Sequence, residues 1–441
     1  MVIQLSLPLI LNHHQPPLSS LKCALTKQGH RLLSTLHTAS TPSAADRLIR
    51  KFIASSSKTV ALNALFHLLT TDINHHSSLA LPMYERISET SWFKWNPKLA
   101  ASVIALLEKQ GRFDEAQTLI SESKRDLRFR GRDIALFYCD LIECHSKQGY
   151  KRGVYQTYAC VKEVIRESEL LESNVWSMVN QRVYECMING LCTLGLPSDA
   201  EEMTEEMKVL GFKPSAFELR LIVLGYGRLG LFREMRGVLD EMEGFGYALD
   251  TICANMLLFS YGSNTELYQM VTWIQKMEKL NVPFSVRTYN SVLNSCPTIM
   301  LLLQDTKGLL LSLEELMEKL QGDELLLVQA LGRSAVLFET LKWCSTEGKL
   351  DLHGMHLGSA YLIMLQWIEE LRLRFASGSS DVPAEIIVIC GLGKHSTLMG
   401  ESPVKALISE MLRRLSSPMK LARKKGGSFV AKGKAVREWL L

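Results

Sequence analysis

The sequence predicts an α-solenoid of helix–turn–helix repeats followed by a small C-terminal α/β sandwich. Three observations carry this. A 35-residue period runs through the middle of the chain, and apolar residues keep helical spacing inside each period. Near residue 349 the pattern then changes to a β-branched run that feeds a glycine loop. The 441 residues are 47% hydrophobic and 22% charged, enough apolar material for two or three cores, which excludes wholesale disorder and collagen-like sequence. No run of about 18 apolar residues suggests a membrane span. Ten cysteines are scattered without a CxxC pair, the usage of a reducing compartment rather than of a zinc site or disulfide framework.

Charge is unevenly distributed. The first acidic residue is Asp46, and before it come Lys22, Lys27, Arg31 and a dense scatter of Ser and Thr. Such an acid-free stretch over 1–45 fits an organelle transit peptide, for chloroplast or mitochondrion. Residues 411–437 carry nine cations and no acid, so with a net charge of +4, and three cations in the leader, the rest of the chain stands at −8. A basic patch over an acidic body is the footprint of a polyanion-binding C-terminus. Lys420, Arg423, Lys424 and Lys425 are its candidate contacts, while Phe429 and Trp439, which flank the patch, are expected in the core.

The repeats are set by recurring marks. Gly195 and Gly230 lie 35 residues apart, each in a Leu-Gly-Leu turn, and each is followed by a Glu-Met pair (Glu206-Met207, Glu241-Met242) and then by Gly211 or Gly246. Aligning on them gives units 181–215, 216–250, 251–285 and 286–320 within an array over 46–320. Tyr184, Met187, Ile188 and Leu191 form one helical stripe, and Ala200, Met203 and Met207 form the stripe across the turn. A hairpin with two apolar faces cannot bury both alone, so neighbours stack. Gly111 to Ala116 marks an upstream turn, Tyr138 to Gly149 an upstream first helix, and a stretch near 170–180 interrupts the register.

These marks resemble the pentatricopeptide repeat family, through Tyr289-Asn290-Ser291-Val292-Leu293, through Glu205-Glu206-Met207-Lys208 followed by Gly211-Phe212-Lys213-Pro214, and through the period itself. The resemblance implies about five to seven repeats with degenerate outer units, and an array that docks single-stranded RNA at roughly one base per repeat. It assigns base preference to the fifth and last residues of a unit: Glu185 with Ser215, Arg220 with Asp250, Asn255 with Ser285, and Asn290 in the fourth. Glu185 and Arg220 depart from the usual pattern. The net acidity of the array leaves a protein-interaction scaffold as an alternative.

A helical connector is expected over 321–348 and a different domain over 349–441. Leu350-Asp351-Leu352-His353-Gly354 reads as a short strand, 360–375 as a helix, Glu385 to Cys390 as a buried parallel strand, and Pro403 as the opening of a helix to about Arg414. Asp351 and His353, two apart on a strand, would leave one face at its C-terminal end. If the strands are parallel neighbours, the loop of Gly391, Gly393, Lys394 and His395 ends beside them and offers amides and charge to a phosphate. In that arrangement Asp351 can hold a divalent metal (Mg or Mn) or orient a water, and His353 can move a proton.

The order of Leu350–Gly354, Cys390–Ser396, Pro403-Val404-Lys405 and Gly427–Gly433 with Trp439-Leu440 resembles the small MutS-related (Smr) domain. That resemblance implies a domain that binds or nicks nucleic acid, RNA or DNA, with Asp351 and His353 tied to cleavage and the glycine loop to binding. Cys390 stands where the family usually has Thr, and Lys425 where it often has Asn, which leaves a non-catalytic RNA-stabilising factor as the alternative to an endoribonuclease.

Overall fold

The computed structural model describes residues 25–37, 41–70, 77–168, 173–305, 308–377, 382–391, 402–422 and 427–441. They fall into two compact units, residues 1–213 and 214–441.

In the first unit every described element is a helix, from Lys27–His37 through Pro197–Val209. The starts are encoded locally. Thr41 and Asn96 are N-caps whose side chains accept the amides of Ala44 and Leu99, and Pro42 and Pro97 take the first helical position, where no amide is needed. The helices Pro97–Lys109, Gly131–Lys147 and Ser173–Thr193 stack in succession, burying Ile104, Phe137, Leu141 and Met187. Gly195 turns the chain after the third, with φ +75°, while the Leu196 amide reaches back to the Leu191 carbonyl at 2.9 Å. The interruption expected near 170–180 is, from Ser173 on, the front of that same 21-residue helix. Part of the expected 1–45 leader is packed: Lys27–His37 lies on the next two helices, with Leu32 and Leu36 buried.

The second unit opens with hairpins in 35-residue register: Ala216–Arg228 with Phe232–Gly244, then Thr251–Ser263 with Leu267–Lys279. Ser215, Asp250 and Ser285 cap the first helices that follow them, each accepting the amide three residues on. The steps are close. A Cβ on Gly227 would lie 2.1 Å from Ser260 Oγ, and one on Gly262 2.0 Å from Ser295 Oγ, so both helices must be bare there. The unit expected over 286–320 is cut short to Val286–Leu293 and Pro297–Leu302.

The sheet begins earlier than residue 349. Leu341–Trp343 (β1) pairs antiparallel with Glu347–Asp351 (β2), so the expected connector over 321–348 already contains the sheet's first hairpin, after the helices Gly322–Gly332 and Val336–Thr340. Glu385–Ile389 (β3) lies parallel to β2, joined by the crossover helix Leu357–Ala376. Among the described residues, Lys420–Leu421 (β4) and Ser428–Lys432 (β5) complete five strands in the order β1-β2-β3-β5-β4, where the sequence shows only two. Ile386 and Val388 of β3 are fully buried, as is Trp367 of the crossover helix. Helices Pro403–Arg414 and Gly433–Leu440 pack on that helix. Among the described residues no helix is long and apolar enough to cross a membrane.

Candidate nucleic-acid site

In two of the repeats, the residues expected to read bases bond to one another. Arg220 donates from Nη2 to Asp250 Oδ2 at 2.7 Å, while Asp250 Oδ1 accepts the Cys253 amide. Asn255 donates from Nδ2 to Ser285 Oγ at 3.2 Å, and its Oδ1 accepts the Thr288 hydroxyl at 2.8 Å. In both cases the fifth residue of a unit reaches the N-cap of the next unit's first helix. Ser215 is the corresponding cap one unit earlier, in a capping box with Glu218. Glu185 is paired with Arg182, whose other nitrogen holds Glu143 at 2.8 Å. The helix-capping duty of Ser215, Asp250 and Ser285 leaves a trace in the sequence, Ser or Asp at a 35-residue interval before an apolar run.

Asn290 departs from the expectation. Both ends of its amide are engaged far away in sequence: Nδ2 donates to the Gly354 carbonyl at 3.0 Å, and Oδ1 accepts the His356 amide at 2.8 Å and the Ser359 hydroxyl at 2.7 Å. It faces the start of the crossover helix.

The α/β domain brings Asp351 and His353 together, by a different route from the one expected. β2 ends at Asp351, in register with Ile389 of β3, so the C-terminal ends of the parallel pair coincide. His353 lies beyond the strand, in a turn, and alternation along a strand does not apply to it. The turn is made by the acid itself: Asp351 Oδ1 accepts the His353 amide at 3.0 Å. His353 is exposed and Asp351 half-buried. Gly391 follows β3 with φ +79°, and a Cβ on it would lie 3.7 Å from His353 Cδ2, so imidazole and loop stem adjoin. Gly393, Lys394 and His395 lie outside the described residues. Cys390, between β3 and the loop, is buried; burial pushes its thiol up to about 12, with Lys405 pulling down and Asp351 pushing up.

Of the basic patch, Lys420 on β4 is exposed, while Arg423, Lys424 and Lys425 lie outside the described residues. Arg413 is ion-paired with Glu410, and Arg414 is anchored through Nη1 on the Leu309 carbonyl while keeping its charge. Phe429 is buried in the core, as expected, while Trp439 is half-buried and donates from Nε1 to the Leu415 carbonyl. Among the described residues no group of three His, Cys, Asp or Glu side chains comes together to hold a metal, so Asp351 does not by itself make a fitted site for Mg or Mn.

Comparison with known proteins agrees with the repeat geometry. The PPR repeat profile matches residues 182–212 and 221–247. The Arabidopsis thaliana pentatricopeptide repeat-containing protein At2g17033 is 50% identical over 421 residues, covering 94% of this chain and 82% of that one. This chain belongs to the pentatricopeptide repeat family. A second relative, the Zea mays pentatricopeptide repeat-containing protein ATP4, chloroplastic, is 23% identical over 269 residues, 58% of this chain and 38% of that one. Maize PPR10, a pentatricopeptide repeat protein solved in complex with an 18-nt psaJ RNA element, aligns at 12% identity and a TM-score of 0.27, over 90% of this chain and 60% of that one. The chain thus spans less than two thirds of the length of ATP4 and PPR10. In this pentatricopeptide repeat protein the profile falls on the hairpins from 182 to 247, upstream of the five-stranded sheet.

Proposed function

We propose that this protein binds single-stranded RNA through its repeat array in an organelle, chloroplast ahead of mitochondrion, and that its Smr-like C-terminal domain grips or cuts nucleic acid. Family membership supports RNA as partner, since a maize member is seen on an RNA element. The acid-free N-terminal composition and the relative named chloroplastic support the organelle. The observation that carries the nuclease half is one geometry: the Asp351 carboxylate and the His353 ring at the coincident ends of β2 and β3, with Gly391 against the ring.

The chemistry suited to that geometry is phosphodiester hydrolysis. Asp351 holds the turn through one oxygen and orients a water with the other. His353 takes the proton of the attacking water, the phosphorus–oxygen bond to the leaving group breaks, and the proton passes to the departing oxygen. Without a Cβ at Gly391, the sugar–phosphate backbone approaches the imidazole closely. A divalent ion would require ligands beyond Asp351, and no step is routed through one.

Purified full-length protein and its Asp351→Ala variant, compared on single-stranded organelle transcripts, test this. We expect a loss of at least about 100-fold in cleavage; equal cleavage by both ends the enzymatic proposal. The second reading, an RNA-stabilising factor without catalysis, is favoured by the Cys390 thiol, which is buried and stays protonated beside the loop. It expects Asp351→Ala to protect RNA as well as the wild type does.

A further inference from the structure

Asn290 does something that its place in the repeat does not require. Arg220 and Asn255, the fifth residues of the two preceding units, each reach 30 residues ahead to Asp250 and Ser285, the caps of the next first helix. The same reach from Asn290 would end at Leu320, which caps no helix start. Instead Asn290 bonds 66 residues ahead to His356, the N-cap of Leu357–Ala376, and 69 ahead to Ser359 in its first turn. Asn294, one helical turn on, has its Nδ2 2.6 Å from His356 Nδ1. Gly358 lets the helix close in, since a Cβ there would stand 3.0 Å from Leu293 Cβ. The start of the sheet's crossover helix therefore packs against Val286–Leu293, the last first helix of the array.

The turn between β2 and that helix carries His353 and is held from two sides. On the sheet side, the Leu352 amide bonds to the Ile389 carbonyl at 2.9 Å and Asp351 holds the His353 amide. On the other side is Asn290, with the carbonyl of Gly354 and the amide of His356. Gly354 has φ +81°, a conformation glycine adopts readily and also leaves readily. His353 and Gly354 are exposed between the buried Leu352 and Met355, and exposed backbone around a glycine is among the less stable parts of a fold unless it is bonded. We propose that Asn290 is a positioning residue: it fastens the His353 turn to the last hairpin of the array, so that the presentation of the imidazole depends on the repeat beneath it. Asn290 spends its amide on this tie and not on a base.

The consequence for turnover rests on the nuclease reading above; the tie itself does not, and the test separates them. Hydrogen exchange is measured on the full chain for residues 352–356 and, as reference, for β3. In Asn290→Ala the 352–356 amides exchange at least about tenfold faster, in line with three lost hydrogen bonds, while β3 is unchanged. Asn290→Asp keeps both accepted bonds but sets a carboxylate oxygen against the Gly354 carbonyl where the amide donated, so its 352–356 amides also exchange faster than in wild type. On RNA, Asn290→Ala lowers kcat with KM within about twofold. Unchanged exchange at 352–356 overturns the proposal, and so does equal acceleration in β3, which would mean a generally loosened fold. If Asn290→Ala does not fold, Asn290→Asp decides by the same comparison. Where wild type and Asp351→Ala both fail to cleave, a freed turn in Asn290→Ala still upholds the tie, and only the nuclease reading falls.

Discussion

Two thiols of the C-terminal domain are set apart by their surroundings. Cys344, exposed in the β1–β2 turn, is held below the ordinary thiol value by the Thr346 hydroxyl and the Glu347 and Thr346 amides. Cys390 is buried and pushed up to about 12. The thiolate is the reacting form, and its share grows as pH rises through the pKa. At pH 8, iodoacetamide should therefore label Cys344 first and leave Cys390 untouched until the chain unfolds. Peptide mass spectrometry checks this, and prompt labelling of Cys390 in folded protein would contradict it. The sequence showed Cys390 as a departure at the mouth of a loop, but which way its side chain points depends on the sheet and could not be read there. Asp351 and His353 were legible as a pair because both residues and their spacing are local. Their actual relation, a carboxylate bonded to the backbone of a turn, was not, since strand ends are set by pairing with β3.

At the scale of elements, the inter-hairpin turns separate what a residue prefers from what the fold imposes. Gly195 and Gly230 occupy the left-handed position with φ +75° and +70°, and in the next unit that position falls to Thr265 with φ +59°. The Glu266 amide still reaches the Tyr261 carbonyl at 3.0 Å, so the turn closes as its neighbours do. A left-handed conformation costs an L residue roughly 1–2 kcal/mol, more readily at a β-branched one. Glycine loses about 0.5–1 kcal/mol through its freer unfolded state. Thr265→Gly should thus stabilise by about 0.5–1 kcal/mol, read as a higher urea midpoint at unchanged slope; a lower midpoint would show that the threonine is not strained. The helices and these turns were visible because amphipathic period and glycine spacing repeat. β1 and β4 were not: strands of three and two residues have no periodicity of their own and exist by pairing with β2 and β5. Gly433 belongs to the same class. A Cβ there would meet the Pro383 carbonyl oxygen at 1.8 Å, a demand that comes from a loop 50 residues earlier.

For the whole molecule, charge distribution decides how a polyanion would be held. The two ends, 1–45 and 411–437, carry twelve cations and no acid of their own, and the remainder stands at −8, so single-stranded RNA affinity should depend strongly on the basic segment. Each phosphate contact on a single strand contributes about −0.7 to the slope of log K against log salt. Replacing Lys420, Arg423, Lys424 and Lys425 with Gln should flatten that slope by roughly 3 if all four make phosphate contacts. Fluorescence anisotropy across a salt series measures it, and an unchanged slope would move the RNA footprint off this segment.

The sequence by itself determined the 35-residue period, the stacking hairpins and the strand at 385–389, because apolar spacing and glycine turns act over a few residues. Tertiary structure alone decided that Asn290 reaches Gly354 and His356, and that the start of a sheet helix packs on the last hairpin of the array. The Asn290 contacts join groups more than 60 residues apart, and a local pattern states which face of a segment is apolar without stating what will come to rest on it.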